Sequence, residues 1–219
     1  LSAFAEGLAQ VGRPCVWAGH GAVRPDIEPA AIVVDGMRAS GWAACAEGRR
    51  RGVPVIVIDT GYLRRVTGAA DLETGHFYVG LGGLGWLPPV APSTDRLDRL
   101  NLRLGRSVER TDGAALVCGQ VPGDASHGLA RGPLAHTYSR LIADLNIAGV
   151  RQVRFRPHPA GVIDPPPGAR VSHPSEESLG AAIERADFVV SLNSNAGLDA
   201  LIAGVPAVAL LPSHYRPIA

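Results

Sequence analysis

Three segments of this chain carry residues able to bind and polarise a ligand. Residues 116–126 read Leu-Val-Cys-Gly-Gln-Val-Pro-Gly-Asp-Ala-Ser, residues 154–159 read Arg-Phe-Arg-Pro-His-Pro, and residues 191–197 read Ser-Leu-Asn-Ser-Asn-Ala-Gly. Each is an apolar, strand-like run that breaks into a polar or Gly-rich loop. Ligands of open α/β sheets bind outside the carboxyl ends of strands, so three such ends describe a site for a polar, phosphorylated ligand. His158 stands between two prolines, which fix its loop and remove competing N–H donors. Arg154 and Arg156 are two residues apart and share a strand face, and their planar forks match phosphate geometry. Asn193, Ser194 and Asn195 can cap the helix that follows or hydrogen-bond a ligand. The first N–H groups of that helix attract anions, and Gly197 permits close backbone approach. Gln120 and Asp124 follow the first strand. Asp124 can orient a ligand hydroxyl or His158, or it can cap a turn with Ser126; His127 is a further polar neighbour.

The first half offers two carboxylates at strand ends, Asp35 in Val-Val-Asp-Gly and Asp59 in Val-Ile-Asp-Thr-Gly. Either could serve as general base or nucleophile, and either could instead form a turn. Asp35 is favoured, because Gly36 opens space beside it. Tyr62, Arg64 and Arg65 place an aromatic beside two cations, suited to a sugar or to an extruded base with its phosphates. His20, between Gly19 and Gly21, is a second polar candidate.

The elements that must hold these residues alternate strand and helix, which implies βαβ units and a parallel sheet. In the first half we expect strands at 14–18, 31–34, 53–58 and 76–79, a helix over 39–51, and a Gly-rich loop over 80–85. Prolines 88, 89 and 92 break the pattern; a polar helix over 95–104 and a linker over 105–113 follow. The second half repeats the alternation: strands at 114–118, 150–155, 188–192 and 207–211, helices at 133–145, 178–185 and 195–203. Gly204 reads as the left-handed cap of the last helix. The fold class is α/β with two Rossmann-like lobes facing a cleft, residues 1–108 and 109–219.

The 219 residues are 46% hydrophobic and 19% charged, an ordinary globular balance. No apolar run reaches the roughly 18 residues that span a bilayer. All basic residues are arginine, yet the formal net charge is only +1, so no large nucleic-acid footprint is required. Cys15, Cys45 and Cys118 are far apart and odd in number, which argues against a disulfide framework or zinc site and for a reducing cytoplasm.

Taken together, "GQVPGDAS", "RPHP" and "SLNSNAGLDALIAGVPAVAL" resemble the capsule-polysaccharide glycosyltransferases, especially retaining β-Kdo transferases. Those carry a Gln-Val…Asp-Ala/Ser segment, a His-Pro motif and an Asn-Ser…Gly…Ala-Leu…Gly-x-Pro helix in this order. The resemblance covers residues 114–211. It implies a compact GT-B-like fold, with a nucleotide-sugar donor in the C-terminal lobe and an acceptor in the N-terminal one. His158 and the 193–197 turn would then contact the donor phosphate, with Gln120, Asp124, Arg154 and Arg156 around it. Asp35, Asp59 and His158 become the catalytic candidates; His20, Tyr62, Arg64 and Arg65 become the acceptor contacts. No DxD motif or carboxylate cluster occurs, so no metal or other cofactor is expected. The acceptor implied most directly is a surface glycan. The alternative is a hydroxymethylated pyrimidine in phage-type DNA. Two further readings stay open: a nucleotide-sugar epimerase or hydrolase, and a non-catalytic sugar-nucleotide-binding module.

Overall fold

The structure is a computed structural model that describes residues 1–18, 24–61, 76–83, 102, 104–105, 113–124, 126–161, 163–213 and 215. His20, Tyr62, Arg64 and Arg65 lie outside these residues, as does most of the helix expected over 95–104. The chain divides into two compact units, Leu1–Pro88 and Pro89–Ala219. The boundary falls ahead of the expected one at 108. Gly105 itself is tied to the second unit: its N–H donates to Ile202 O at 2.6 Å.

The first unit holds α1 (Ser2–Gln10), β1 (Ile32–Asp35), α2 (Ala39–Arg51), β2 (Val55–Thr60) and β3 (Phe77–Leu81). Its sheet has the order β1-β2-β3. β1 and β2 pair in parallel, as a strand–helix–strand unit requires. β3 is antiparallel to β2, so the all-parallel expectation does not hold here. Ile32, Val55 and Val57 pack on Ala44 and Cys45 of α2 in one small core. Residues 14–18, expected as a strand, form none and are exposed, Val16 and Trp17 among them. Gly80 and Leu81 extend β3 rather than opening the Gly-rich loop. α1 buries none of its residues.

The second unit holds β4 (Ala114–Cys118), α3 (Arg131–Ile147), β5 (Gln152–Arg156), β6 (Arg170–Val171), α4 (Leu179–Glu184), β7 (Phe188–Ser191), α5 (Ala196–Ile202) and β8 (Ala207–Ala209). The sheet order is β6-β5-β4-β7-β8, and every pairing is parallel. β4 is central and buried along its whole length, as expected of a strand covered on both faces. Its alternation splits the core in two. Val117 faces Leu134, Tyr138 and Ile142 of α3, together with Val153 and Phe155 of β5. Leu116 and Cys118 face Ala182 and Ile183 of α4 and Ala196 and Ala200 of α5.

The helix ends follow local chemistry. Ser178 caps α4 by accepting from Ala181 N–H at 3.1 Å. Gly204 takes φ 76° after α5, and Val205 N–H closes back on Ala200 O at 2.8 Å, the paired-bond cap that a left-handed residue permits. Among the described residues no helix is long and apolar enough to cross a membrane.

Candidate functional site

In the second sheet the chain starts at β4, winds outward through β5 and β6, and then returns to the other side of β4 as β7 and β8. The loops after β4 and β7 therefore leave adjacent strands in opposite senses, which opens a crevice at their carboxyl ends. The three motifs sit on that edge, because β5, β4 and β7 are neighbours. Their strand positions were expected from the sequence; their adjacency comes from the strand order.

Gln120 and Asn193 meet across the switch point. Gln120 Nε2 donates to Asn193 Oδ1 at 2.8 Å, and Asn193 N–H donates to Gln120 Oε1 at 3.1 Å. Ser126 joins them: Asn193 Nδ2 donates to Ser126 O at 2.9 Å, and Ser126 Oγ donates to Asn193 Oδ1 at 3.3 Å. Gln120 is 7% exposed. A carboxamide so buried requires partners for both of its ends, and Asn193 provides both.

The β5 loop lies against the β4 loop. Gly119 N–H donates to Arg156 O at 2.8 Å. A Cβ on Gly161 would stand 3.1 Å from Val121 Cα and 3.2 Å from Pro122 Cδ, so glycine there allows the two loops to touch. His158 is half-buried in this contact. Its Nδ1 accepts from Ala160 N–H at 3.1 Å, which in the neutral ring puts the proton on Nε2.

Asp124 caps its own turn: Oδ1 accepts from Ser126 N–H at 2.8 Å. Of the two roles left open by the sequence, the geometry displays this one. Burial pushes the Asp124 carboxyl up, but the bonds from Ser126 and the nearby His127 and His158 outweigh it, and the pKa is lowered. His127 is committed within the loop. Its Nε2 donates to Val121 O at 3.1 Å, and its Nδ1 accepts from Leu129 N–H at 3.0 Å.

The two arginines of β5 serve the lobe's interior. Val153 and Phe155 face the α3 core, so Arg154 and Arg156 face α4. Arg154 donates to Ala182 O at 2.7 Å. Arg156 donates to Ser172 Oγ at 3.1 Å and Glu177 O at 2.9 Å. Glu177 lies 3.6 Å from Arg154 and also pairs with Arg185. Both residues are 8% exposed, and burial lowers the pKa of each. The sequence pattern correctly placed them on one face; that face is the one covered by α4.

The 193–197 turn also differs in detail from expectation. Asn195 starts α5 without a side-chain cap bond, because its helical backbone angles turn the side chain away from the first N–H groups. Ser194 Oγ accepts from Ala196 N–H at 3.3 Å instead. The close neighbour that Gly197 admits is Tyr215, whose Cε2 and Cζ would lie 2.5 Å from an added Cβ. Tyr215 and Glu177 are the two residues of this region that the sequence reading missed. Neither carries a local signal, since each acts on a partner far away in the chain.

In the first unit Asp35 is the last residue of β1 and Asp59 the last but one of the adjacent parallel β2, with Asp35 opposite Ile58. Asp35 is exposed and Asp59 half-buried. Asp59 Oδ1 accepts from Thr60 N–H at 2.7 Å. Gly36, at φ 68°, leaves its Cα open toward the Asp59 carboxylate, and an added Cβ would lie 3.5 Å from Oδ2. The space beside Gly36 therefore faces Asp59.

No family model matches the chain, and no curated protein matches it in sequence. Among solved structures, the Thermosulfurimonas dismutans KpsC β-Kdo 2,4 transferase is similar with a TM-score of 0.54 at 15% identity, over 85% of this chain and 70% of that one. The β-Kdo 2,7 transferase of KpsC from the same organism gives a TM-score of 0.49 at 18% identity, over 81% of this chain and 63% of that one. The first likeness shows the fold, an α/β architecture of Rossmann type shared with a transferase of the kind the three motifs resemble.

Proposed function

We propose that this chain is a glycosyltransferase that draws on a nucleotide-activated sugar, with the donor held at the carboxyl ends of β5, β4 and β7. The observation that carries this reading is the meeting of the three motifs at the switch point of a parallel sheet, where such sheets bind nucleotides. The shared fold with a β-Kdo transferase agrees with it. His158 is the residue best placed to meet the donor phosphate. With Nδ1 accepting from Ala160 N–H, the neutral ring carries its proton on Nε2, the nitrogen that would serve a phosphate oxygen. The 193–195 turn, fixed by Gln120 and Ser126, would complete the cradle. Charge developing on the departing phosphate would be stabilised by donors already in place, so little reorganisation is needed as the bond breaks.

Asp35 and Asp59 are the candidates for the base or nucleophile of the transfer. The acceptor implied by the fold neighbour is a glycan. Turnover assays with nucleotide sugars test both parts, read as nucleotide release with and without acceptor. Release that requires a glycan acceptor supports the transferase. Equal release without any acceptor would identify a hydrolase or epimerase. Release that requires hydroxymethylated DNA and falls steeply with salt would move the acceptor to DNA.

A further inference from the structure

Tyr215 is 1% exposed and lies beyond β8, yet its hydroxyl reaches back to the turn after β7. It donates to Ser194 O at 2.7 Å. A phenol has one proton to give, so the 2.8 Å contact with Ser191 Oγ is a bond donated by the serine. Ser191 is the last residue of β7 and is itself 1% exposed. Ser194 O also accepts from Gly197 N–H at 3.0 Å. One hydroxyl thus joins the end of the strand to the carbonyl three residues further on. The ring rests on Gly197, where any Cβ would strike it.

We propose that Tyr215 is a positioning residue for the donor site: its buried hydroxyl sets the plane of the 194–195 peptide and thereby the orientation of the Asn193–Ser194 turn. The peptide is planar and trans. With Ser194 O drawn inward to Tyr215, Asn195 N–H is turned to the opposite side. Gln120 and Ser126 hold the turn from the β4 side at Asn193, and Tyr215 holds it from the β8 side at Ser194. Burial raises the Tyr215 pKa, so the proton that bonds Ser194 O is retained at neutral pH. The functional part of this inference rests on the donor site proposed above; the geometric part does not.

Tyr215→Phe keeps the ring and removes the hydroxyl. Two readouts separate the parts. First, backbone amide resonances and hydrogen exchange at residues 194–197 in the unliganded protein should shift and lose protection, while those of β4 and α3 stay as in wild type. Second, the affinity for the nucleotide that wild type selects from CMP, UDP, GDP and ADP should fall about tenfold, the effect of losing one neutral hydrogen bond at a positioned group. The fall should exceed that of Ser139→Ala, a lesion of similar size on α3 away from the site. Gly197→Ala, whose added Cβ would strike both the hydroxyl and the ring of Tyr215 and so displace them from the turn, should reproduce both effects. Unchanged amides at 194–197 in Tyr215→Phe overturn the proposal whether or not a nucleotide binds. Altered amides with unchanged nucleotide affinity overturn the positioning role and leave a structural one. If wild type binds no nucleotide, the donor site fails, and the positioning role falls with it; the amide readout then decides the geometric part alone.

Discussion

The Gln120 carboxamide and Asn193 are bound to each other at both ends, Nε2 to Oδ1 at 2.8 Å and N–H to Oε1 at 3.1 Å. The two residues are 73 positions apart in the chain and lie in the loops after β4 and β7, the neighbouring parallel strands between which the winding of the chain reverses. This pair joins the β4 and β7 loops where the donor is proposed to sit. Their interaction energy should be measurable in a double-mutant cycle. Gln120→Ala and Asn193→Ala are each expected to destabilise by about 1–3 kcal/mol, since each leaves buried polar atoms without partners. Their effects should be non-additive by about 0.5–3 kcal/mol in chemical denaturation. Additive effects would mean that the two loops are held apart by other contacts.

Arg154 and Arg156 provide a prediction of a different kind. Their heads bind Ala182 O, Ser172 and Glu177 rather than the loops. Arg156→Lys retains a charge but cannot span Ser172 Oγ and Glu177 O together. Stability should fall by about 1–3 kcal/mol, while nucleotide affinity in the folded protein stays as in wild type. A loss of affinity with no loss of stability would return Arg156 to the donor site.

Two aspartates should act on stability with opposite sign against pH. The Asp124 pKa is lowered in the folded state. Its contribution is present above its unfolded pKa and is lost as pH falls through the folded one. Asp124→Asn should therefore cost stability at neutral pH and nothing in strong acid. Burial raises the Asp199 pKa. Its contribution is present below the unfolded pKa and is lost as pH rises through the folded one, so Asp199→Asn should relieve a loss that appears above pH 4 or so. Thermal melts of both variants from about pH 2.5 to 7 check the two signs.

The thiols should divide by burial. Cys15 is exposed, whereas Cys45 and Cys118 are buried. Burial pushes the Cys118 thiol up to about 12 and raises Cys45 as well. The thiolate is the reactive form, so an alkylating reagent at pH 8 should label Cys15 alone in the native protein and all three after denaturation. Fast native labelling at Cys118 would show that the centre of the second sheet opens.

Gly48 lies in mid-helix, where alanine would ordinarily add about 1 kcal/mol of helix stability. Here a Cβ would strike Val55 Cγ2 and come within 2.9 Å of Val53 O. Overpacking of about 1–3 kcal/mol should win, and Gly48→Ala should lower the denaturation midpoint. A rise would mean that α2 can lift from β2 at little cost.

How far the sequence revealed this molecule depended on the range of the interaction involved. Strands and helices of the second unit could be read closely, because β4, β7 and α4 announce themselves through apolar runs and a serine cap within a few residues. The antiparallel β3 could not, since strand direction leaves no mark on alternation. The loops carrying Gln120, His158 and Asn193 were legible as a set, but the pairing of Gln120 with Asn193 required the strand order. Arg154 and Arg156 were placed on the right strand and the same face. Period-two alternation cannot say which face a helix will cover, and α4 covers theirs. Tyr215 was invisible, since a lone aromatic after a strand has no pattern of its own.

The central claim is that the edge formed by β5, β4 and β7 binds a nucleotide. It is tested most directly by a thermal-shift panel of CMP, UDP, GDP and ADP on wild type and on His158→Ala. A ligand at about 100 times its Kd stabilises by about 2.7 kcal/mol. For a chain this size that raises Tm by several degrees, about 2–4 °C per kcal/mol. The account predicts a shift selective for one nucleotide and lost in His158→Ala, with the Tm of the unliganded variant close to wild type. No shift with any of the four, or an equal shift in wild type and variant, would contradict it.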